Sequence, residues 1–142
     1  ALERGDVVLC DRFHDSTRVY QFAGREQDTR LMERLERAAL AGTYPDLTII
    51  LDVPADIGGD RARKRRGTAN ADRFEKDDAT IQEERRRAFL RIAAEEPERC
   101  VVVDGNRPVE AVAAEIGAIV DDRLEAKRFE AIDRSLKIGQ SR

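Results

Sequence analysis

Three short runs of apolar residues stand out along the chain, at residues 7–10, 47–51 and 100–103. Each run is continuous and rich in β-branched side chains, which is typical of strands that are buried on both faces of a parallel sheet. An aspartate follows each run directly: Asp11, Asp52 and Asp104. The pattern therefore predicts three parallel strands whose carboxyl ends carry acidic groups.

Between and after these runs, apolar residues recur at helical spacing over about residues 28–41, over about residues 77–94, and from Pro108 onward. We expect amphipathic helices there, the first of them ending at Gly42, which can adopt the left-handed conformation of a helix C-cap. The highly charged segment from about residue 121 to 142 is expected to extend the last helix. Strands that alternate with helices predict a single α/β domain that spans the whole chain.

Composition and charge argue against two classes of protein, nucleic-acid binders and membrane-spanning proteins. The net charge of −3 is close to balance although 39% of the residues are charged, so a nucleic-acid partner is not expected. No apolar stretch approaches the roughly 20 residues that a membrane span needs. Cys10 and Cys100 adjoin apolar runs, so we expect buried, reduced thiols of a cytoplasmic protein. His14 is expected to be an exposed loop residue, because nothing nearby in the sequence forms a triad or a metal set with it.

The carboxyl ends of parallel strands are where open α/β sheets bind ligands. The segment after the first run carries side chains that suit a phosphorylated ligand: Asp11, Arg12, Ser16, Thr17, Tyr20 and Gln21. An aspartate at this edge can hold a metal-bound water, and an arginine can grip a phosphate through two parallel hydrogen bonds. A plain ion pair between Asp11 and Arg12, and Ser16 as a helix N-cap, explain the same residues without any ligand.

Residues 61–66 form a basic run that is followed by Gly67 and a small polar loop. The segment ends with Phe74 and Glu75. It is either a solvated helix face or a lid over about residues 61–75, whose arginines close over phosphates and stabilise charge in phosphoryl transfer. Glu75 is a candidate magnesium ligand, since Mg²⁺ takes one or two carboxylates besides phosphate oxygens and water. Phe74 fits either a stacking place beside a base or the core at the hinge of the lid.

The turn after the third run contains Asn106 and Arg107. Its backbone and the stem of Arg107 suit the edge of an adenine ring, and a bare connecting turn explains the turn equally well.

In this order and spacing, the pieces resemble the thymidylate kinase family, in its bacterial branch, over residues 2 to about 120. The sequences that carry the resemblance are Asp11-Arg12-Phe13 with Ser16-Thr17 and Tyr20-Gln21, Pro45-Asp46-Leu47-Thr48, the basic run into Asp72-Arg73-Phe74-Glu75, and Val103-Asp104-Gly105. The resemblance implies a P-loop kinase-type fold, a three-layer α/β/α arrangement around a parallel sheet. It also implies transfer of the γ-phosphoryl group of ATP to dTMP, with Mg²⁺, by a cytoplasmic homodimer packed through helices.

For the acceptor, the resemblance implies that Arg12 binds the phosphate of dTMP and that Asp11 helps to organise magnesium. Thr17, beside Ser16, and Gln21 would lie along the thymine and the sugar. Tyr20 would crowd the 2′ position, so that a ribose hydroxyl fits badly.

For the donor and the transfer step, the resemblance implies that Arg65 stabilises the transition state, with Arg61 and Arg63 as neighbours that share the work. Phe74 takes the family's aromatic place beside the nucleotide, and Glu75 the acidic place near magnesium. Asn106 and Arg107, together with Arg65, would lie against ATP.

The sequence departs from the family at one point, because no G-x-x-x-x-G-K-[ST] occurs in it. The family's N-terminal strand and helix, with this phosphate-cradling P-loop between them, are therefore expected to be absent from these 142 residues. The P-loop strand of the family lies between the first and second predicted strands, so we expect a slot in the sheet with two unpaired inner edges. The alternatives are a kinase for another deoxynucleotide or deoxynucleoside, and a non-catalytic remnant that binds a nucleotide or a partner.

Because the phosphate-cradling loop is missing, we expect residues 1–142 alone to give no turnover of dTMP and ATP. A coupled assay of ADP formation checks this, with an intact thymidylate kinase as the positive control. Magnesium-dependent turnover by the 142-residue chain itself would contradict the expectation.

Overall fold

A computed structural model describes residues 1–22, 29–66 and 75–139 of the chain. Its elements are a 3₁₀ turn at Leu2–Arg4, α1 at His14–Phe22, α2 at Thr29–Leu40, β1 at Thr48–Asp52, α3 at Ala55–Arg66, α4 at Glu75–Glu95, β2 at Cys100–Asp104 and α5 at Val109–Gly139. Helix α4 packs on both strands and also contacts α1 and α3, while α5 packs on β2. The predicted α/β class is confirmed, and α4 is the helix around which the other elements meet.

The two strands pair in parallel, with Thr48 opposite Cys100 and Asp52 opposite Asp104. They coincide within one residue with the second and third predicted strands. The side chains buried at the centre come from both strands and from the helices that cover them: Val19, Ile50, Ile92, Ala93 and Cys100. This register places the two aspartates side by side at the carboxyl edge, as the sequence predicts.

The first predicted strand is wrong. Residues 7–10 form no strand, and the side chain of Leu9 is 98% exposed. Within the described ranges the sheet consists of β1 and β2, so the N–H and C=O groups of this segment have no neighbouring strand to pair with. The expected buried thiol is correct for Cys100 and wrong for Cys10, which is exposed with the rest of the segment.

Helices α2, α4 and α5 confirm the three predicted helices, with ends shifted by a few residues. The chain leaves α2 through two successive left-handed residues, Ala41 with φ of 48° and Gly42 with φ of 84°. Gly42 therefore ends the helix as predicted, because glycine adopts this conformation without a steric penalty. None of the helices in the described residues is both long enough and apolar enough to cross a membrane.

The amino ends of the strands are tied to α1 by a buried ion pair. Arg99 donates to both carboxylate oxygens of Asp15, at 2.7 and 2.9 Å, and also to Thr48 Oγ1 at 2.6 Å. Burial by itself raises the pKa of Asp15, but the hydrogen bonds from Arg99 and the nearby positive charges outweigh it and hold that pKa below its ordinary value. Asp15 therefore stays ionised and binds α1 to the first residue of β1.

His14 is buried, only 7% exposed, and the expectation of an exposed loop residue is wrong. Its Nδ1 donates to Glu36 Oε1 of α2 at 2.6 Å, and its ring packs edge-on against Phe13 and Tyr44. Nε2 is buried 3.6 Å from Asp15 Oδ2 and has no hydrogen-bond partner among the described residues. His14 is therefore part of the packing between α1 and α2. Local sequence pattern does not reveal this, because its partner Glu36 lies 22 positions away along the chain.

The turn after β2 is packed closely against the end of β1. Gly105 N donates to Asp52 O at 2.8 Å. A Cβ atom at Gly105 would lie 2.8 Å from Val53 Cγ2 and 3.3 Å from Asp52 O. We therefore expect Gly105→Ala to destabilise the fold by about 1–3 kcal/mol, through overpacking, in urea unfolding.

Gly117→Ala is the matched control, because a Cβ there meets nothing within 4 Å. In the interior of α5 that change is expected to stabilise by up to about 1 kcal/mol. Equal stability of the two variants would contradict the close approach at Gly105.

Candidate functional site

A cavity of about 300 Å³ lies at the carboxyl end of β1, between α1, α3 and α4. Apolar side chains line much of it: Ile50, Leu51, Val53, Ala55, Ala62 and Phe89. The helix α3 contributes Gly58 and Gly59, whose lack of side chains leaves room beside the strand. The polar lining comes from Tyr20, Asp52, Gln82, Arg85 and Arg86. Its position and its mixture of apolar walls and a few polar groups are those of a small-molecule site.

Asp52 and Arg86 form a bidentate ion pair inside this cavity. Arg86 Nε lies 2.6 Å from Asp52 Oδ1, and Arg86 Nη2 lies 2.8 Å from Asp52 Oδ2. The hydrogen bonds from Arg86 hold the pKa of Asp52 below its ordinary value, and Asp52 in turn raises the pKa of Arg86. Both groups are therefore charged, and the pair joins the end of β1 to the middle of α4.

Tyr20 is contacted by two guanidinium groups. The Cζ atoms of Arg12 and Arg85 each lie 4.6 Å from the centroid of its ring. Arg12 comes from the loop before α1 and Arg85 from α4, so the ring joins two elements through cation–π contacts. The tyrosine is 45% exposed, so part of this residue is open to solvent.

Arg12 has a left-handed backbone, with φ of 66°. This conformation is strained for a residue with a Cβ, by about 1–2 kcal/mol. Arg12 Nε donates to Ser16 Oγ at 3.4 Å, and the Cys10 thiol donates to Arg12 O at 3.7 Å. Strain of this kind is found disproportionately at ligand sites, where it aims a side chain.

The predicted donor-side residues lie in a second group. Arg61 of α3 donates to Gly105 O at 2.9 Å and to Asn106 Oδ1 at 3.0 Å, so the basic helix is fastened to the turn after β2. Arg107 donates to Asp104 O at 3.1 Å and pairs with Glu115. The fold thus brings Arg61 and Asn106 together, 45 positions apart in sequence.

The structure brings Arg12, Ser16 and Tyr20 together, and their role as a ligand site stays a prediction. Asp11 and Thr17 are exposed nearby, and Asp11 does not end a strand, because residues 7–10 do not form one. The remaining predictions, Phe74 and the side chains of Gln21, Arg63, Arg65 and Glu75, lie outside what the structure describes. Among the described residues, no group of three or more His, Cys, Asp or Glu side chains is placed to hold a metal ion.

Sequence reasoning missed Asp52, Arg85 and Arg86 as site residues. The sequence did contain a feature that pointed to Asp52 as a site residue, namely its position directly after a buried strand. The three consecutive arginines at 85–87 were a feature of the same kind for Arg85 and Arg86, since a charged triplet on a helix that packs on both strands must direct one member inward.

These features define an α/β protein with a cationic small-molecule site at the carboxyl edge of its sheet. The family model for thymidylate kinase matches residues 1–116. The chain belongs to the thymidylate kinase family, and the predicted P-loop kinase-type fold class is thereby confirmed.

Two relatives illustrate the extent of the similarity. The chain is 45% identical over 135 residues to the thymidylate kinase of Rhodopseudomonas palustris (strain BisB18), covering 95% of this chain and 59% of that protein. It is 49% identical over 126 residues to the thymidylate kinase of Nitrobacter hamburgensis, covering 87% of this chain and 54% of that protein. The chain therefore spans little more than half the length of the curated relatives that it matches.

The ion pair in the cavity yields a prediction for the pKa of Asp52. Arg86→Met removes the hydrogen bonds that lower this pKa, so we expect the pKa to rise toward its ordinary value, as measured by NMR titration of the Asp52 carboxyl carbon. In the wild type, the pair contributes stability above the pKa of Asp52 in the unfolded chain, and the contribution is lost as the pH falls through the lowered folded-state pKa.

Arg87→Met is the matched control, because Arg87 pairs with Glu83 and not with Asp52. It should leave the Asp52 titration where it is. An Asp52 pKa that is the same in Arg86→Met as in the wild type would show that the pair does not form in solution.

Proposed function

We propose that this protein is a thymidylate kinase, which transfers the γ-phosphoryl group of ATP to dTMP with Mg²⁺ and gives dTDP and ADP. The observation that carries the proposal is the family match over residues 1–116, with relatives named thymidylate kinase at 45–49% identity. The cavity at the carboxyl edge, lined by Tyr20 with Arg12 against the ring of that tyrosine, supports a nucleotide as the ligand. Because the chain covers only part of those relatives, the activity is proposed for the protein as its own gene encodes it.

On the acceptor side, Arg12 is proposed to hold the phosphate of dTMP. Its guanidinium lies over the ring of Tyr20 and its Nε donates to Ser16, so its terminal N–H groups remain available to phosphate oxygens. Ser16 accepts a hydrogen bond from Arg12 and keeps it oriented. Tyr20, Thr17 and Gln21, in successive turns of α1, are proposed to border the thymine and the sugar.

For the metal, Asp11 is an exposed carboxylate, and it has no ion pair within the described part of the chain. This fits Mg²⁺, which commonly takes only one or two protein carboxylates and completes its shell with phosphate oxygens and water. Asp11 is proposed to hold the ion, together with Glu75. When bound, the ion neutralises charge on the phosphates.

For the transfer step, Arg65 is proposed to stabilise charge on the transferred phosphoryl group, with Arg61 and Arg63 nearby on α3. The hydrogen bonds from Arg61 to the turn after β2 support a role in fastening this helix to the donor side. Asn106 and Arg107 of that turn are proposed to border the adenine of ATP. Phosphoryl transfer depends mainly on such positioning and charge stabilisation, and an added arginine contributes about 10³–10⁵ in rate.

We also propose a cytoplasmic homodimer that is packed through helices. Leu31 and Leu35, one helical turn apart on α2, are 50% and 54% exposed. An apolar strip of this kind on a helix supports packing against a second copy. The near-balanced charge supports small nucleotides, rather than nucleic acid, as the ligands.

The proposal is tested with the protein as its own gene encodes it, in a coupled assay of ADP formation with ATP, Mg²⁺ and each of dTMP, dCMP, dGMP and UMP. We expect dTMP to be preferred, and Arg65→Gln to lower kcat by about 10³-fold or more with little change in KM for dTMP. Lys64→Gln, an exposed neighbour on α3, is the control and should leave kcat unchanged.

A preference for another nucleotide would replace dTMP with that acceptor. Nucleotide binding without any ADP formation would indicate the non-catalytic remnant. An unchanged kcat in Arg65→Gln would remove this residue from the transfer step.

A further inference from the structure

Three consecutive arginines on α4 differ in the sets of groups that they contact. Successive residues of a helix are rotated by about 100°, and the side chains diverge accordingly. Arg86 pairs with Asp52 and, at 3.4 Å, with Glu83, and Arg87 Nε donates to Glu83 Oε1 at 3.0 Å. Arg85 instead contacts the ring of Tyr20 and lines the cavity, and it has no carboxylate partner among the described residues.

The charge that Arg85 brings to the cavity is not cancelled. Of the charged side chains in the described lining, Asp52 and Arg86 neutralise each other. Arg85 therefore leaves the cavity with an excess positive charge. Arg12, at the other contact with Tyr20, also lacks an ion pair within the described ranges.

The two guanidinium groups are close enough to act on one ligand group. Each Cζ lies 4.6 Å from the same ring centroid, so at most twice that distance separates them. Contact through the flat face of a guanidinium leaves its terminal N–H groups available, and Arg12 uses only its Nε–H elsewhere, toward Ser16. A phosphate monoester with two negative charges, bound beside the part-exposed Tyr20, can accept charge-assisted hydrogen bonds from both.

We infer that Arg85 is a substrate-binding residue that holds the phosphate of the acceptor nucleotide together with Arg12, the other guanidinium in contact with Tyr20. The inference rests on the proposed function for the nature of the acceptor. It adds a second guanidinium, that of Arg85 on α4, to that of Arg12, which the sequence predicts to bind the phosphate.

The test compares a ligand that carries the phosphate with one that lacks it. Affinities of dTMP and thymidine are measured by isothermal titration calorimetry for the wild type, Arg85→Gln, Arg85→Lys and Arg87→Gln, in the protein as its own gene encodes it. We expect Arg85→Gln to weaken dTMP binding by about 10- to 100-fold, the range for losing hydrogen bonds to a charged group. Thymidine binding should change by less than about 2-fold, because the lost bonds go to the phosphate.

The other variants separate the role in binding from a structural one. Arg85→Lys keeps the charge and loses the planar fork, so it should lie between the wild type and Arg85→Gln. Arg87→Gln has the same loss of charge two positions away and should bind dTMP as the wild type does. Equal weakening of dTMP and thymidine by Arg85→Gln, or no weakening of dTMP, would overturn the inference.

Failure of the proposed function gives a different result. In that case the wild type binds another nucleoside monophosphate more tightly than dTMP, and the same comparison is made with that nucleotide and its nucleoside. A loss in Arg85→Gln that is confined to the phosphorylated ligand then still supports the role of Arg85, and a loss of both ligands overturns it.

Discussion

The buried, bidentate ion pair between Arg99 and Asp15 is the interaction on which the placement of the other elements depends. It joins the residue before β2 to the first turn of α1, and its third hydrogen bond, to Thr48, includes the start of β1. Removing one partner of a buried ion pair costs about 3–5 kcal/mol, because the other charge is left unpaired. Helix α1, fixed here at the amino ends of the strands, extends to the carboxyl edge and places Tyr20 in the cavity.

The two ends of the sheet differ in how their charges are balanced. At the amino ends, Arg18 pairs with Asp15 and Glu96, and Arg99 pairs with the same two carboxylates. At the carboxyl end, Asp52 is matched by Arg86 alone, and the two guanidiniums at Tyr20 have no carboxylate in the described residues. The ion pairs at the first end therefore stabilise the fold, while at the second end the charges of Arg12 and Arg85 are available to a ligand.

The hydrophobic pattern was sufficient to predict β1, β2 and the helices α2, α4 and α5. Each of these elements buries apolar side chains whose spacing can be recognised within the segment itself. The same pattern at residues 7–10 gave a wrong strand, since a strand also needs a partner that its own residues do not specify. The prediction that His14 is exposed was wrong for a related reason, because its burial depends on contact with Glu36 of another helix. The pairing of Asp52 with Arg86 could not be predicted either, because 34 positions separate them in the sequence. The motif residues Arg12, Ser16 and Tyr20 could be predicted because they are close in sequence, whereas Arg85 reaches them only through the packing of α4 on α1.

The claim that a nucleotide binds at the carboxyl edge of the sheet is tested most directly by a crystal structure of the protein, as its own gene encodes it, with dTMP. The account predicts that the nucleotide occupies the cavity bordered by Tyr20, with its phosphate within hydrogen-bonding distance of Arg12 and Arg85. A nucleotide bound elsewhere, for example in the smaller cavity beside His14 and Tyr44 at the opposite end of α1, would contradict it.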